Sequence, residues 1–235
     1  MSTVIIGPES SLRFLPAEME RRQVLMFEGI RFSIEMADVA HLRLRETLIR
    51  LTDAVDAPHE DVARALEDAW SIVDSAHRLK GILQQAPGIT HRDRWPSIRQ
   101  LLNDMADPID KLRNVFQHLN QDVGNRVHQN WPLFGILHWF RLNPDRNSGR
   151  ICYLMAGTIT DGERPLLSVH GKRVYEPPLG MIELQTESAT VSVTELMEIV
   201  KRIAGDLECS IQSQGNRIPC DSLIRIDIQF LDHGC

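Results

Sequence analysis

Residues 26–55 read MFEGIRFSIEMADVAHLRLRETLIRLTDAV, and this stretch decides the fold class of the first half of the chain. Met26, Ile30, Ile34, Ala37, His41, Leu44, Leu48, Leu51 and Val55 recur at steps of three and four. That spacing places them on one face of a helix. The pattern predicts a helix from about Ala17 to Val55, long enough that its apolar stripe needs partner helices. Gly29 lowers the local helical propensity. His41 lies within the stripe and reads as a hydrogen-bonded interfacial histidine rather than a catalytic one.

Working outward, residues 1–16 read as an irregular segment or short strand, with Val4-Ile5-Ile6 followed by Gly7-Pro8. Asp56-Ala57-Pro58 gives a stop and a fresh start, with Asp56 as N-cap. A second helix is expected from His59 to Gln85, carrying Val62, Leu66, Trp70, Val73, His77 and Leu83 near one face, and Ala86-Pro87-Gly88 ends it. A third helix is expected from Pro96 to Ala106. Asp107-Pro108 should break the chain there, because proline lacks the helical donor yet suits a first helical position. A fourth helix would then run from Pro108 to near Gly124, completing an antiparallel bundle over 17–124.

After Gly124 the character changes. Leu133 to Phe140 is apolar and aromatic, Ile151 to Ile159 and Leu166 to Val169 read as strands, and Met181 to Leu184 with Ala189 to Val193 read as a hairpin. Thr194 to Leu207 reads as a helix capped by its threonine. Ile224, Ile226, Ile228 and Phe230 alternate with Arg225, Asp227 and Gln229, the pattern of a half-buried strand. Residues 131–235 are therefore expected to form a mostly-β module with one helix, and the chain is assigned to the α+β class.

The 235 residues are 43% apolar and 25% charged, with a net charge of −6 and a pI near 5.8. That balance excludes a nonspecific DNA-coating role, which needs a basic surface. Two local basic groups remain, Arg92, Arg94 and Arg99 around Trp95, and Arg141, Arg146 and Arg150; each reads as a solvated face or an RNA contact. No basic segment precedes a long apolar run, and no stretch approaches the roughly 20 apolar residues that span a bilayer. Cys152, Cys209, Cys220 and Cys235 form no C-x-x-C pair, so free thiols in a reducing cytoplasm are expected. His233 and Cys235 fit no zinc spacing with Cys209 or Cys220. The phosphate-binding motifs G-x-x-x-x-G-K-[ST] and G-x-G-x-x-G and the nucleophile motif G-x-S-x-G are absent, and no cofactor is expected.

One stretch carries chemistry: Lys111-Leu112-Arg113-Asn114-Val115-Phe116-Gln117-His118-Leu119-Asn120. With Ile109 at zero on a helical wheel, Leu112, Phe116, Leu119 and Val123 cluster at about 280–340°. Arg113, Gln117, Asn114 and His118 fall at about 40°, 80°, 140° and 180°, on a polar arc facing away from the core. Arginine offers a permanently charged fork for phosphate, and histidine moves protons near neutral pH. Arg113 and His118 stand about 140° apart, so one helix converges them poorly and two helices across a twofold axis would do better. His77-Arg78 could line the same groove, although periodicity gives His77 a packing role. His138, amid Leu137, Trp139 and Phe140, reads as a satisfied buried histidine.

The Arg-Asn-x-x-x-His spacing late in a helical region resembles the motif of the HEPN superfamily, many of whose members are RNases; the resemblance covers residues 17–124. It implies a homodimer with a composite site and RNA as substrate. Arg113 would bind the scissile phosphate, Asn114 would orient a catalytic group or bind phosphate, and His118 would act as general acid or base, with no metal. A toxin or defence effector is the role so implied. The other reading is a non-catalytic interaction module, in which the same arc binds a protein partner or is solvated.

Overall fold

The computed structural model describes residues 4–85, 96–118, 131–143, 148–157, 178–211 and 217–219. The fold is α+β, as expected. A short strand β1 (Phe14–Pro16) leads to three helices, α1 (Arg21–Asp53), α2 (His59–Gln85) and α3 (Pro96–Gln117). Strands β2 (Ile136–Leu142), β3 (Gly149–Met155), β4 (Leu179–Gln185) and β5 (Thr190–Ser192) follow, then α4 (Val193–Ile211) and β6 (Arg217–Pro219).

α1 and α2 form the central pair. Ile30, Ile34, Ala37, Leu44 and Leu48 of α1 are buried beside Ala65, Ala69, Ile72, Ala76 and Leu79 of α2. Gly29 has a packing reason: a Cβ there would stand 2.9 Å from Ile82 Cδ1, so its absence lets α2 close in. α1 is shorter than its stripe suggested. Residues 17–20 are spent on a turn closed by Met19 N–H donating to the Pro16 carbonyl at 3.1 Å. At the other end Ala54 adopts an extended conformation, and Val55 is fully exposed rather than part of the stripe. Thr52 and Asp53 are held instead by the sheet. Arg150 Nη1 donates to the Thr52 carbonyl at 3.0 Å, and Arg141 pairs with Asp53. These arginines supply positive charge where the helix ends in unpaired carbonyls, so two of the three residues in the second basic group have structural partners. Arg146, and the side chains around Trp95, lie outside the described residues.

The break expected at Asp107-Pro108 does not occur: Pro108 lies inside a single helix. Proline in a helix interior costs about 3 kcal/mol. Ile109 and Leu112, directly after it, are completely buried. Each such side chain contributes roughly 1.5–3 kcal/mol on burial, enough to carry the helix through. The expected four-helix bundle is thus three long helices, with α4 joining them from the β half. The predicted continuation to Gly124 lies outside the described residues.

The four-stranded sheet is antiparallel in the order β3-β2-β4-β5. The expected hairpin joins β4 and β5, closed by Thr186 N–H donating to the Ala189 carbonyl at 2.8 Å. The register of β2 on β4 shifts between Trp139 and Phe140, beside Met181, whose φ is +42°. α4 packs on β4 and touches all three earlier helices. Its threonine does not cap it. Ser192 Oγ accepts from Glu195 N–H at 3.3 Å, while Thr194 Oγ1 accepts from Ile182 N–H at 2.8 Å and ties the helix to the sheet. β1 pairs antiparallel with β6, drawing early and late residues together. One continuous hydrophobic core runs from α1 and α2 through α3 and the sheet to α4. The expected strands at Leu166–Val169 and Ile224–Phe230 lie outside the described residues.

Candidate functional site

α3 carries Arg113 and Asn114 near its C-terminal end, His118 follows it directly, and α2 lies alongside. Arg113 is not a freely solvated arginine. Its Nε lies 3.6 Å from Asp74 Oδ1 of α2, and about a third of its side chain is exposed. With the Gln117 amide turned so that its oxygen faces the guanidinium, that oxygen accepts from both Nη1 and Nη2 at 3.1 Å. Asp74 also pairs with Arg78 one turn along α2. The guanidinium is thus held along its Nε edge by a carboxylate and at its fork by a neutral amide.

Asn114 and His118 are exposed. They are joined through the backbone, His118 N–H donating to the Asn114 carbonyl at 3.1 Å. Among the described residues no side-chain hydrogen bond links His118 to Arg113, as the wide angle between them predicts. The structure therefore brings Arg113 to Asp74 and Gln117 and leaves Asn114 and His118 on the open surface.

Beside Arg113 lies a groove of about 680 Å³ between α2, α3 and the start of the sheet. Val62, Leu66, Trp70, Phe116, Phe134 and Ala156 give it an apolar lining, and Glu67, Asp74, Arg113 and Gln117 supply polar groups. Trp70 and Phe116 stack with centroids 4.7 Å apart, and the Trp70 indole donates to the Phe134 carbonyl at 3.2 Å. Phe116 was expected in the buried stripe with Leu112. It is 42% exposed instead, stacked on Trp70 at the edge of the core where the groove opens.

Further along the α2–α3 contact is a second polar group. Lys80, almost buried, pairs with Asp110, and His77 Nε2 lies 3.5 Å from the same carboxylate. Burial holds His77 below the ordinary histidine range, with the Arg113 and Lys80 charges acting in the same direction and Asp110 and Asp74 opposing. Periodicity gave His77 a packing role; its surroundings are charged.

Compared with known protein families, curated proteins and solved structures, the chain matches none.

Sequence reasoning missed Asp74 and Lys80 of α2 as the partners of Arg113 and Asp110 of α3. Asp74 and Arg78 are visible as an i, i+4 pair, but nothing in the sequence shows that Asp74 also faces Arg113. His41 and His138, the other two histidines that the sequence singled out within the helices and strands, have surroundings of their own. His41 is buried between the helices, and its Nε2 has no hydrogen-bond partner among the described residues, contrary to expectation. Burial lowers its pKa to about 4, with Arg45 adding to the effect. His138 Nε2 stands 3.7 Å from Glu183 Oε2 under the ring of Tyr153. Among the described residues no group of three or more His, Cys, Asp or Glu side chains is placed to hold a metal, and no helix is long and apolar enough to cross a membrane. Cys152 and Cys209 are free thiols; Cys220, His233 and Cys235 lie outside the described residues.

Proposed function

We propose that the C-terminal turns of α3 are half of a composite RNA-cleaving site of the HEPN type, completed by α3 of a second copy. The observation that carries this reading is the disposition of the motif. Arg113 is held by Asp74 at the mouth of an aromatic groove, while Asn114 and His118 project from the adjoining surface. An arginine held along its Nε edge is already ordered, and its fork binds a phosphate by exchanging the neutral Gln117 amide for the anion. Exposed aromatic faces accept an unstacked base.

The reaction is transesterification. The ribose 2′-oxygen attacks the adjacent phosphorus and gives its proton to one His118, acting as base. The bond to the 5′-oxygen breaks, and that oxygen takes a proton from the second copy's His118. The products are a 2′,3′-cyclic phosphate and a 5′-hydroxyl. Arg113 stabilises the charge that builds on the phosphoryl oxygens, and Asn114 is a neutral donor to the same group. A toxin or defence effector is the cellular role that suits such an activity.

The test is incubation of the purified chain with total RNA in EDTA, beside Arg113→Ala and His118→Ala. Cleavage by the parent alone, leaving cyclic-phosphate ends, supports the reading. Equal cleavage by parent and variants, or none by any, overturns it.

A second reading is a non-catalytic module that takes a protein segment into the groove. The groove's mainly apolar lining, with Glu67 and Asp74 opposing the single Arg113, favours it. An RNA-inert parent whose protein complex is lost on Phe116→Asp would establish that role.

A further inference from the structure

Two carboxylates line the aromatic groove, Glu67 and Asp74, and only one of them is committed. Asp74 pairs with Arg113 and Arg78. Glu67 lies two turns earlier on the same side of α2, about 10 Å away along the helix axis. It is exposed in the groove and makes no hydrogen bond or ion pair among the described residues. Between the two, Trp70 carries the Phe116 ring, which is 42% exposed. The groove thus runs from an arginine, past an open aromatic ring, to an uncommitted carboxylate. Its volume of about 680 Å³ lies in the range of small-molecule sites.

From these positions we infer that the groove selects guanine beside the scissile phosphate: the base stacks on Phe116, its Watson–Crick edge meets Glu67, and Arg113 takes the phosphate. The inference rests on the RNA-cleaving reading of this site and adds a base specificity to it. Glu67 lies on α2, outside the Arg-Asn-x-x-x-His motif, so the resemblance does not supply it. An acidic side chain repels the RNA backbone, and in a groove that holds RNA it costs affinity unless a base donates to it. A carboxylate is acceptor-only, with two oxygens. Guanine alone among the four bases sets two adjacent donors, N1–H and the N2 amino group, on its Watson–Crick edge, one for each oxygen. Adenine and cytosine place an acceptor nitrogen beside their single amino group. Uracil flanks its one N–H with two carbonyl oxygens. Each of these three turns a lone pair toward the carboxylate, so Glu67 rejects them as well as favouring guanine. Unstacked bases of single-stranded RNA are read in this way, by stacking on an aromatic ring and by hydrogen bonds to that edge.

The experiment is calorimetric titration of the full chain with the 3′- and 5′-monophosphates of guanosine, adenosine, cytidine and uridine, beside Glu67→Gln. Glu67 is exposed, so circular dichroism should report an unchanged fold. The expected result is a guanosine monophosphate bound about tenfold or more tighter than the others, the size of one bidentate base contact. In Glu67→Gln that preference should vanish while the other nucleotides bind no more weakly, a pattern that a merely structural role would not produce. Equal binding of the four bases, binding of none, or a guanine preference that survives Glu67→Gln overturns the inference. Mapping the ends of cleaved RNA separates it from the reading beneath it. Cuts with no guanine beside them remove the base assignment and leave the RNase standing. Guanine binding by a chain that cleaves no RNA removes the RNase and keeps the guanine site.

Discussion

Asp74 of α2 holds Arg113 of α3 through Nε, at 3.6 Å, across the edge of the aromatic groove. The pair joins the one sequence motif that carries chemistry to a residue that the motif does not contain. In the RNase reading Asp74 is a positioning residue, because it sets the angle of the guanidinium and touches no substrate.

Asp74→Asn is therefore expected to reduce RNA cleavage by about tenfold to a hundredfold, the range for a displaced catalytic group. Stability should change by less than about 1 kcal/mol, since the pair is partly exposed. Cleavage at a fixed RNA concentration and a urea melt separate the two. Loss of stability without loss of cleavage would reduce the pair to a structural contact.

The sheet is tied to the end of α1 by Trp139, whose indole N–H donates to Thr52 Oγ1 at 2.8 Å. Thr52→Val keeps the volume but leaves that buried N–H unpaired. The expected cost is about 1–3 kcal/mol, read as a lower urea midpoint with an unchanged slope.

Gly135 precedes β2 with φ at +81°, and a Cβ there would lie 2.5 Å from the Gln185 carbonyl oxygen. Gly135→Ala should destabilise by more than about 1 kcal/mol, from left-handed strain added to a backbone clash. Gly7→Ala, where a Cβ would meet nothing, should be nearly neutral in the same assay.

His41 supplies a pH dependence. Its folded pKa of about 4 lies below the ordinary value of 6.5, so the unfolded chain binds the proton first. Stability from this group is fully present above pH 6.5 and is lost as the pH falls toward 4, by up to about 3 kcal/mol. Thermal melts between pH 7 and pH 4.5 should show a decline that His41→Gln lessens. An equal decline in the variant would assign the effect to other groups.

The helices and most of the sheet were legible because their signals are local. The stripe of α1 shows its buried face, the limits of α2 follow from Pro58 and Ala86-Pro87-Gly88, and the β4–β5 hairpin follows from two apolar runs around Thr186-Glu187-Ser188. Asn114 and His118 were legible as surface residues for the same reason: periodicity places them opposite Ile109 and Leu112. Pro108 was misjudged because its local cost is opposed by the burial of Ile109 and Leu112 against other elements. Phe116 was misjudged because a wheel gives its direction but not whether anything covers it.

The sequence by itself determined the α+β class, the amphipathic face of each helix and the Arg113–Asn114–His118 arc, since each depends on side chains within a few turns of one another. Only the tertiary structure decided that Asp74 holds Arg113, that Trp70, Phe116 and Phe134 form a groove, and that Arg141 and Arg150 serve the end of α1. Those contacts join segments 39 to 98 positions apart, as Asp74 lies from Arg113 and Thr52 from Arg150. Their geometry comes from how the helices and sheet pack around one core, which no local pattern encodes.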